Sequence, residues 1–193
     1  MLWLGNNWLE VLAAAFGIWS VWLSTRQHLW AWPTAIVNVV LYAVVFRAAK
    51  LYADMGLQVV YAVLSAYGWY HWKHGGAHDS TLPVARASRR EWLVLTALAA
   101  VAATGLARLL ANTTDAALPA MDATLSVVSL AAQYMMTRKL IENWLVWIAL
   151  DVVYIGMFEY KQLHVTAALY AVWLVLAVLG WRSWRESLLT QGA

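Results

Sequence analysis

The chain has 193 residues, 63% of them hydrophobic and only 12% charged, with 14 tryptophans and a formal net charge of +3. Soluble domains carry about a quarter charged residues, so this composition excludes an ordinary soluble protein and describes an integral membrane protein. There is no cysteine, which excludes disulfides and thiolate metal sites; the basic residues lie in short loops between apolar runs and do not point to nucleic acid.

Met1 leads directly into an apolar run, with no basic n-region and no small-residue cleavage site, so the first helix is expected to stay. Seven apolar segments follow, each about 17–22 residues and long enough to span a bilayer. They are Trp3–Ser24, Trp30–Phe46, Tyr52–Trp72, Glu91–Ala111, Pro119–Thr137, Asn143–Phe158 and Leu163–Trp181. Pro33 opens the second segment, where a first-turn proline is tolerated. The longest loop, Lys73–Arg90, contains Gly75-Gly76, Pro83 and three arginines. It is expected to be flexible.

Seven spans make the connections alternate sides. Arg47, Lys50, Arg108 and Lys161 fall on the side of the N-terminus. Arg26, Lys73, Arg86, Arg89, Arg90, Arg138, Lys139, Arg182 and Arg185 fall on the other. The positive-inside rule then places the N-terminus outside and the C-terminus in the cytoplasm.

A shift of 112 positions lays the first three segments over the last three without a gap. Trp32 meets Trp144, Tyr42 meets Tyr154, Phe46 meets Phe158, Gly68-Trp69 meets Gly180-Trp181, Trp72 meets Trp184, and Thr25-Arg26 meets Thr137-Arg138. The copies start four spans apart, so they run in the same direction, as in carriers built from parallel repeats. The expected fold is an all-α integral membrane protein with seven transmembrane helices, two parallel three-helix repeats joined by a linker helix (SWEET-like, 3+1+3). Residues 1–73 form the first repeat, 74–111 the cytoplasmic loop and linker helix, 112–185 the second repeat, and 186–193 a C-terminal tail.

Polar residues recur at helical spacing inside these apolar segments. The fifth carries Asp122, Ser126, Ser129 and Gln133. The third carries Asp54, Gln58, Tyr61 and Ser65, and the seventh Thr166, Tyr170 and Trp173. The second carries Asn38 and Tyr42, and the first Glu10. The sixth puts Trp144, Trp147, Asp151 and Tyr154 on one face. Lipid satisfies none of these groups, so the stripes turn inward; an acid inside a bilayer normally faces a bundle interior or a wet cavity. Ser126 and Ser129 also fit plain helix–helix contacts. The expected substrate-binding set is Trp144, Trp147, Asp151, Gln133, Asn38, Gln58, Tyr170, Tyr42, Tyr61 and Asn143. Trp69, Trp72, Trp181 and Trp184 end their spans and read as interface anchors. His71, His74 and His78 sit beside Gly75-Gly76 with only Asp79 for support. Metal ligands need preorganised geometry, so no metal or cofactor is expected.

Several of these pieces resemble the PnuC vitamin transporter family. They are Trp32-Pro33, Leu51-Tyr52-Ala53-Asp54, Tyr67-Gly68-Trp69 and, above all, Thr137-Arg138-Lys139 followed by Glu142-Asn143-Trp144-Leu145-Val146-Trp147-Ile148. The resemblance covers essentially the whole chain. It implies a carrier in a bacterial inner membrane and a homotrimer with one pathway per protomer. It further implies facilitated diffusion of nicotinamide riboside, drawn inward by phosphorylation of the substrate, with thiamine or riboflavin as the alternative cargo. Some members carry asparagine where this chain has Asp151, and some an additional N-terminal span. A flat cationic ring suits Trp and Tyr faces, and amides and a carboxylate suit hydroxyls and an amide. An intramembrane enzyme built on Asp151 and Asp122 lacks any hydrolase or kinase motif. A purely structural protein would hold fewer polar groups at mid-membrane.

Overall fold

The computed structural model describes residues 8–48, 52–114, 119–160, 162 and 164–191. Seven α-helices account for most of them: α1 (Trp8–Thr25), α2 (Ala31–Ala48), α3 (Tyr52–His74), α4 (Arg89–Thr113), α5 (Pro119–Thr137), α6 (Asn143–Tyr160) and α7 (His164–Gln191). Helices α1, α2, α4 and α7 are long and apolar enough to cross a membrane by length and composition. The other three, α3, α5 and α6, are those that carry the densest polar stripes. Helix α7 runs about three turns past the expected end of its span, so the tail placed at 186–193 is helical as far as Gln191. Trp3, Lys50, Leu51, Lys161 and Leu163, and the side chain of Asp54, lie outside the described residues.

Six helices close a ring. Helix α1 packs on α2, α2 on α3, α3 on α5, α5 on α6, α6 on α7, and α7 returns to α1. Helix α4 stands outside, seated on α5, and none of its residues is buried. An apolar helix with no buried residue presents almost all of its surface to lipid. Its start is well defined. Ser88 Oγ accepts from Glu91 N at 3.2 Å while Glu91 Oε2 accepts from Ser88 N at 2.7 Å, which satisfies two of the orphan donors of a first turn.

Residues 112 apart make matching contacts. Helices α1 and α5 both end on a left-handed residue, Gln27 and Lys139, each at φ 55°. His28 N then reaches back to Leu23 O, and Leu140 N to Met135 O, each at 3.0 Å, a closure that satisfies carbonyls a helix end leaves open. Trp72 Nε1 donates to Met136 O at 3.0 Å, and Trp184 Nε1 donates to Ser24 O at 3.0 Å. Each indole thus crosses from one half of the chain to the last turn of the other. Trp32 meets Trp72 edge-on at 5.1 Å, Trp144 meets Trp184 edge-on at 5.3 Å, and Trp72 and Trp184 lie 5.7 Å apart. The four rings join Met136, Val84, Ile141 and Ala177 in one buried cluster.

This corrects the anchor reading for two tryptophans. Trp72 and Trp184 are 1% and 0% exposed, because the indole N–H that would seek a headgroup finds a helix-end carbonyl instead. Trp69 is exposed; Trp181 packs on the edge of the cluster.

The long loop also departs from expectation, since it is pinned rather than free. His74 Nδ1 meets Asp79 Oδ1 at 2.8 Å, and Ala77–Asp79 forms a 3-10 turn. The segment 82–87 then straps across the α5–α6 turn. Ala85 N donates to Lys139 O at 3.1 Å, and Ile141 N to Ala85 O at 2.9 Å. Ala87 N donates to Glu142 Oε2 at 2.9 Å. Lys139 is buried, with Nζ donating to Leu82 O at 2.7 Å and lying 4.9 Å from the Trp72 ring. Burial lowers its ammonium pKa to about 8, since desolvation disfavours the charged form.

Gly68 and Gly180 explain how the indoles fit. A Cβ at Gly68 would overlap the ring of Trp32, and one at Gly180 the ring of Trp144. Both rings are held in the buried cluster and have nowhere to retreat. Gly68→Ala and Gly180→Ala are each expected to lower stability by about 1–3 kcal/mol, as overpacking does. A Cβ at Gly56 or Gly105 meets nothing within 4 Å, and alanine there is expected to stabilise by about 0.5–1 kcal/mol. Thermal unfolding of the four variants in detergent checks this, and equal effects at all four positions would disprove it.

Candidate functional site

The ring of six helices encloses a cavity of about 400 Å³, within the range of about 300–1,000 Å³ usual for small-molecule sites. Every helix of the ring contributes. Gly17, Ser20 and Ser24 come from α1; Trp32, Asn38 and Tyr42 from α2; Gln58, Tyr61 and Ser65 from α3; Gln133 and Met136 from α5; Trp144, Trp147 and Asp151 from α6; Tyr170, Trp173 and Ala177 from α7. The polar stripes therefore face inward, because the ring interior is the one place where apolar helices leave them a wet neighbour.

Nine of the ten expected site residues line this cavity: Trp144, Trp147, Asp151, Gln133, Asn38, Gln58, Tyr170, Tyr42 and Tyr61. Asn143 does not. It is fully buried at the start of α6, where its Nδ2 donates to Leu140 O at 2.6 Å, so its work is to close the α5–α6 turn. Other stripe residues stay outside the cavity lining, Asp122, Ser126, Tyr154 and Thr166 among them. Ser129 is buried away from the cavity, and Glu10 is exposed on α1.

Sequence reasoning left Trp32, Ser20, Ser24, Gly17, Ser65 and Trp173 out of the binding set, yet all six line the cavity. The repeat carried the signal for Trp32, the partner of Trp144. Ser65 and Trp173 lay on stripes already recognised. Gly17 had no signal of its own. A Cβ there would come 2.9 Å from Asn38 Nδ2 and 3.1 Å from Trp173 Cη2, so its bare backbone is what lets both side chains approach α1.

Asp151 is the acid of the cavity. It is 4% exposed, and no described residue donates to its carboxylate. No Lys, Arg or His is among the described lining residues. Asn38 is tethered, its Nδ2 donating to Ala13 O at 2.7 Å. Tyr170 is braced by Tyr154 at 4.6 Å and Phe158 at 5.2 Å between ring centres. Trp32 and Trp144 both leave a buried Nε1 without a partner, a cost of about 1–3 kcal/mol each that the two halves share. The site thus offers flat aromatic faces, amides and hydroxyls around a single unpartnered carboxylate. Such a site suits a flat cation bearing hydroxyl or amide groups.

The repeat frame is symmetric, but the cavity chemistry is not. Positions 112 apart place Val39 opposite Asp151, Leu150 opposite Asn38, Val21 opposite Gln133 and Tyr170 opposite Gln58. One half supplies the acid and the other the tethered amide.

The family model described as nicotinamide mononucleotide transporter matches residues 7–186. The chain is 24% identical over 214 residues to the nicotinamide riboside transporter PnuC of Escherichia coli, covering 97% of this chain and 89% of that relative. It is 26% identical over 181 residues to the riboflavin/roseoflavin transporter RibM of Streptomyces davaonensis, covering 92% and 84%. A solved structure, the crystal structure of the vitamin B3 transporter PnuC, superposes with a TM-score of 0.74 at 24% identity, over 96% of this chain and 83% of that one.

An unpartnered buried carboxylate costs stability that a site element tolerates for binding. Asp151→Asn is therefore expected to hold or raise the unfolding temperature of the ligand-free protein, by up to about 3 kcal/mol of recovered desolvation. A marked loss of stability, measured by thermal unfolding in detergent, would make Asp151 a structural hydrogen-bond partner instead.

Proposed function

The chain belongs to the nicotinamide mononucleotide transporter family, and from that premise we propose that it carries nicotinamide riboside across the membrane. One observation supports the riboside over the mononucleotide in the family's name. The one acid among the described lining residues is Asp151, and that lining holds no Lys, Arg or His. A phosphate dianion entering such a site would meet a carboxylate and no cation, whereas the pyridinium ring of the riboside meets a carboxylate and aromatic faces. Cation–π contacts of this kind contribute about 0.5–2 kcal/mol each. The relatives named as nicotinamide riboside transporters agree with that reading. The similarity to RibM keeps riboflavin as the second reading. Thiamine, another cationic ring, is the third ligand to test.

The architecture we infer is a SWEET-like 3+1+3 fold. Helices α1 to α3 and α5 to α7 make two parallel bundles, and α4 connects them. The 112-residue register and the reciprocal tryptophan bonds support it. We place the protein in a bacterial inner membrane with the N-terminus outside and the C-terminus inside, on the distribution of basic residues. We assign a homotrimer with one pathway per protomer, on the resemblance alone. Transport is facilitated diffusion, with phosphorylation of the arriving substrate drawing it inward; no cofactor takes part.

Calorimetric titration of the purified protein tests the cargo. Nicotinamide riboside is expected to bind and its mononucleotide not to. Asp151→Asn should weaken binding by about 1.5–3 kcal/mol, as for a hydrogen bond to a charged group, or roughly tenfold to a hundredfold. Trp147→Ala should also weaken it, while Trp181→Ala, outside the cavity, should change it little. Tighter binding of riboflavin or thiamine would replace the cargo.

Vesicles test the energetics. They are expected to equilibrate labelled riboside without concentrating it, and accumulation driven by a proton or sodium gradient would recast Asp151 as a coupling site. In the same vesicles a cysteine at Ser80 should be labelled from the cytoplasmic face alone.

A further inference from the structure

We propose that a groove between α4 and α5 is a binding site for an anionic phospholipid, distinct from the transport cavity. The groove has a volume of about 700 Å³. Its head is formed by Arg90 from the start of α4 and by Arg138 and Tyr134 from the end of α5. Its floor is apolar, with Val94, Leu95 and Leu98 running down α4.

The head is built rather than fortuitous. The strap 82–87 is bonded to the α5–α6 turn through Ala85 and Ala87. The Ser88–Glu91 capping box starts α4 directly after the strap. Together these fix the first turn of α4, and with it Arg90, against the last turn of α5. Arg138 Nη1 donates to Tyr134 Oη at 3.4 Å, which orients the guanidinium and leaves the phenol hydrogen free to donate. Among the described residues neither Arg90 nor Arg138 forms an ion pair with a carboxylate. Glu91 lies in the same groove; its Oε2 accepts from Ser88 N at 2.7 Å and its charge is felt by Arg138, so the two guanidiniums leave the head with one net positive charge.

The occupant follows from the order of these groups. Two unpaired guanidiniums and a phenol sit where the strap enters the apolar helix, at headgroup depth. Below them the wall is aliphatic and open sideways, with Val94 48% and Leu98 62% exposed. A phosphodiester with an attached acyl chain matches this sequence of a charged head and an apolar wall. Basic pockets between transmembrane helices take anionic headgroups for the same reason. The repeat sharpens the point. Arg26, the equivalent of Arg138, lies 5.1 Å from the Trp22 ring, the equivalent of Tyr134, and among the described residues α1 packs on α2 and α7, with no counterpart of α4.

The test uses the full chain purified in mild detergent, with phosphatidylglycerol or phosphatidylcholine added in equal amounts. Native mass spectrometry reads lipid retention, and thermal unfolding reads stabilisation. Phosphatidylglycerol is expected to be retained preferentially and to raise the unfolding temperature. Millimolar inorganic phosphate is expected neither to stabilise nor to displace it, because phosphate alone lacks the chain. Arg90→Gln should reduce retention about fivefold, and Arg90→Gln with Arg138→Gln about twenty-fivefold. Arg90 is exposed, so its single variant keeps the test decisive if the double variant folds poorly. Arg47→Gln, at the far end of α2, is the control and should change nothing. Equal retention of the two lipids overturns the proposal, as does full retention in Arg90→Gln. A disulfide between two copies carrying cysteine at Leu98 also overturns it, since a second chain would then fill the groove.

Discussion

Two hydrogen bonds hold the rest of this structure in place. The indole of Trp72 reaches the Met136 carbonyl, and the indole of Trp184 reaches the Ser24 carbonyl. Both acceptors lie in the last turn of a helix, where each also accepts a turn N–H, Met136 O from Lys139 and Ser24 O from Gln27, at 3.0 Å. Each bond contributes only about 0.5–1.5 kcal/mol net. Their importance is positional, because each couples one half of the chain to the other. The rings that donate are then stacked edge-on against Trp32 and Trp144, and those rings rest on Gly68 and Gly180. The resulting cluster closes one end of the bundle and leaves the cavity beside it.

A shared frame with unequal contents gives the cavity its character. Matching glycines, tryptophans and left-handed helix ends set the backbone in both halves. The residues that touch the cavity differ. An acid in one half faces a valine position in the other, and a tethered asparagine faces a leucine position. Symmetry therefore supplies a cavity between the halves, and its loss supplies polarity within the cavity. The two sides of the cavity therefore present different groups.

Much of this was legible in the sequence, for physical reasons that differ by residue. The helices showed because lipid demands long apolar runs. The inward stripes showed because lipid tolerates no unsatisfied polar groups. Nine cavity residues followed from those two constraints alone. Asn143 misled because an asparagine beside two cavity tryptophans reads as a ligand contact, whereas a buried amide at a helix start serves the turn. Trp72 and Trp184 misled because an indole near a helix end has two outlets for its N–H, a headgroup or a carbonyl, and local sequence does not distinguish them. The strap was hidden because its partners, Lys139, Ile141 and Glu142, lie more than fifty residues away along the chain. Gly75-Gly76 spoke for looseness, and distant hydrogen bonds override it.

The reciprocal bonds also bear on how the protein is made. Trp72 and Met136 are 64 residues apart, but Trp184 and Ser24 are 160 apart. The first three helices are made before either acceptor–donor pair is complete. The Ser24 carbonyl accepts locally from Gln27 N and gains its indole only when the second half of α7 is made. The first contact between halves forms when α5 arrives and its final turn meets Trp72, with the strap drawn over the α5–α6 turn soon after. The ring closes only when Trp184 emerges. A chain released short of that residue keeps one cross-half bond of two and an open ring, with the polar stripes of α3, α5 and α6 facing acyl chains. Such a fragment presents to membrane quality control the intramembrane polar surface that the finished ring conceals.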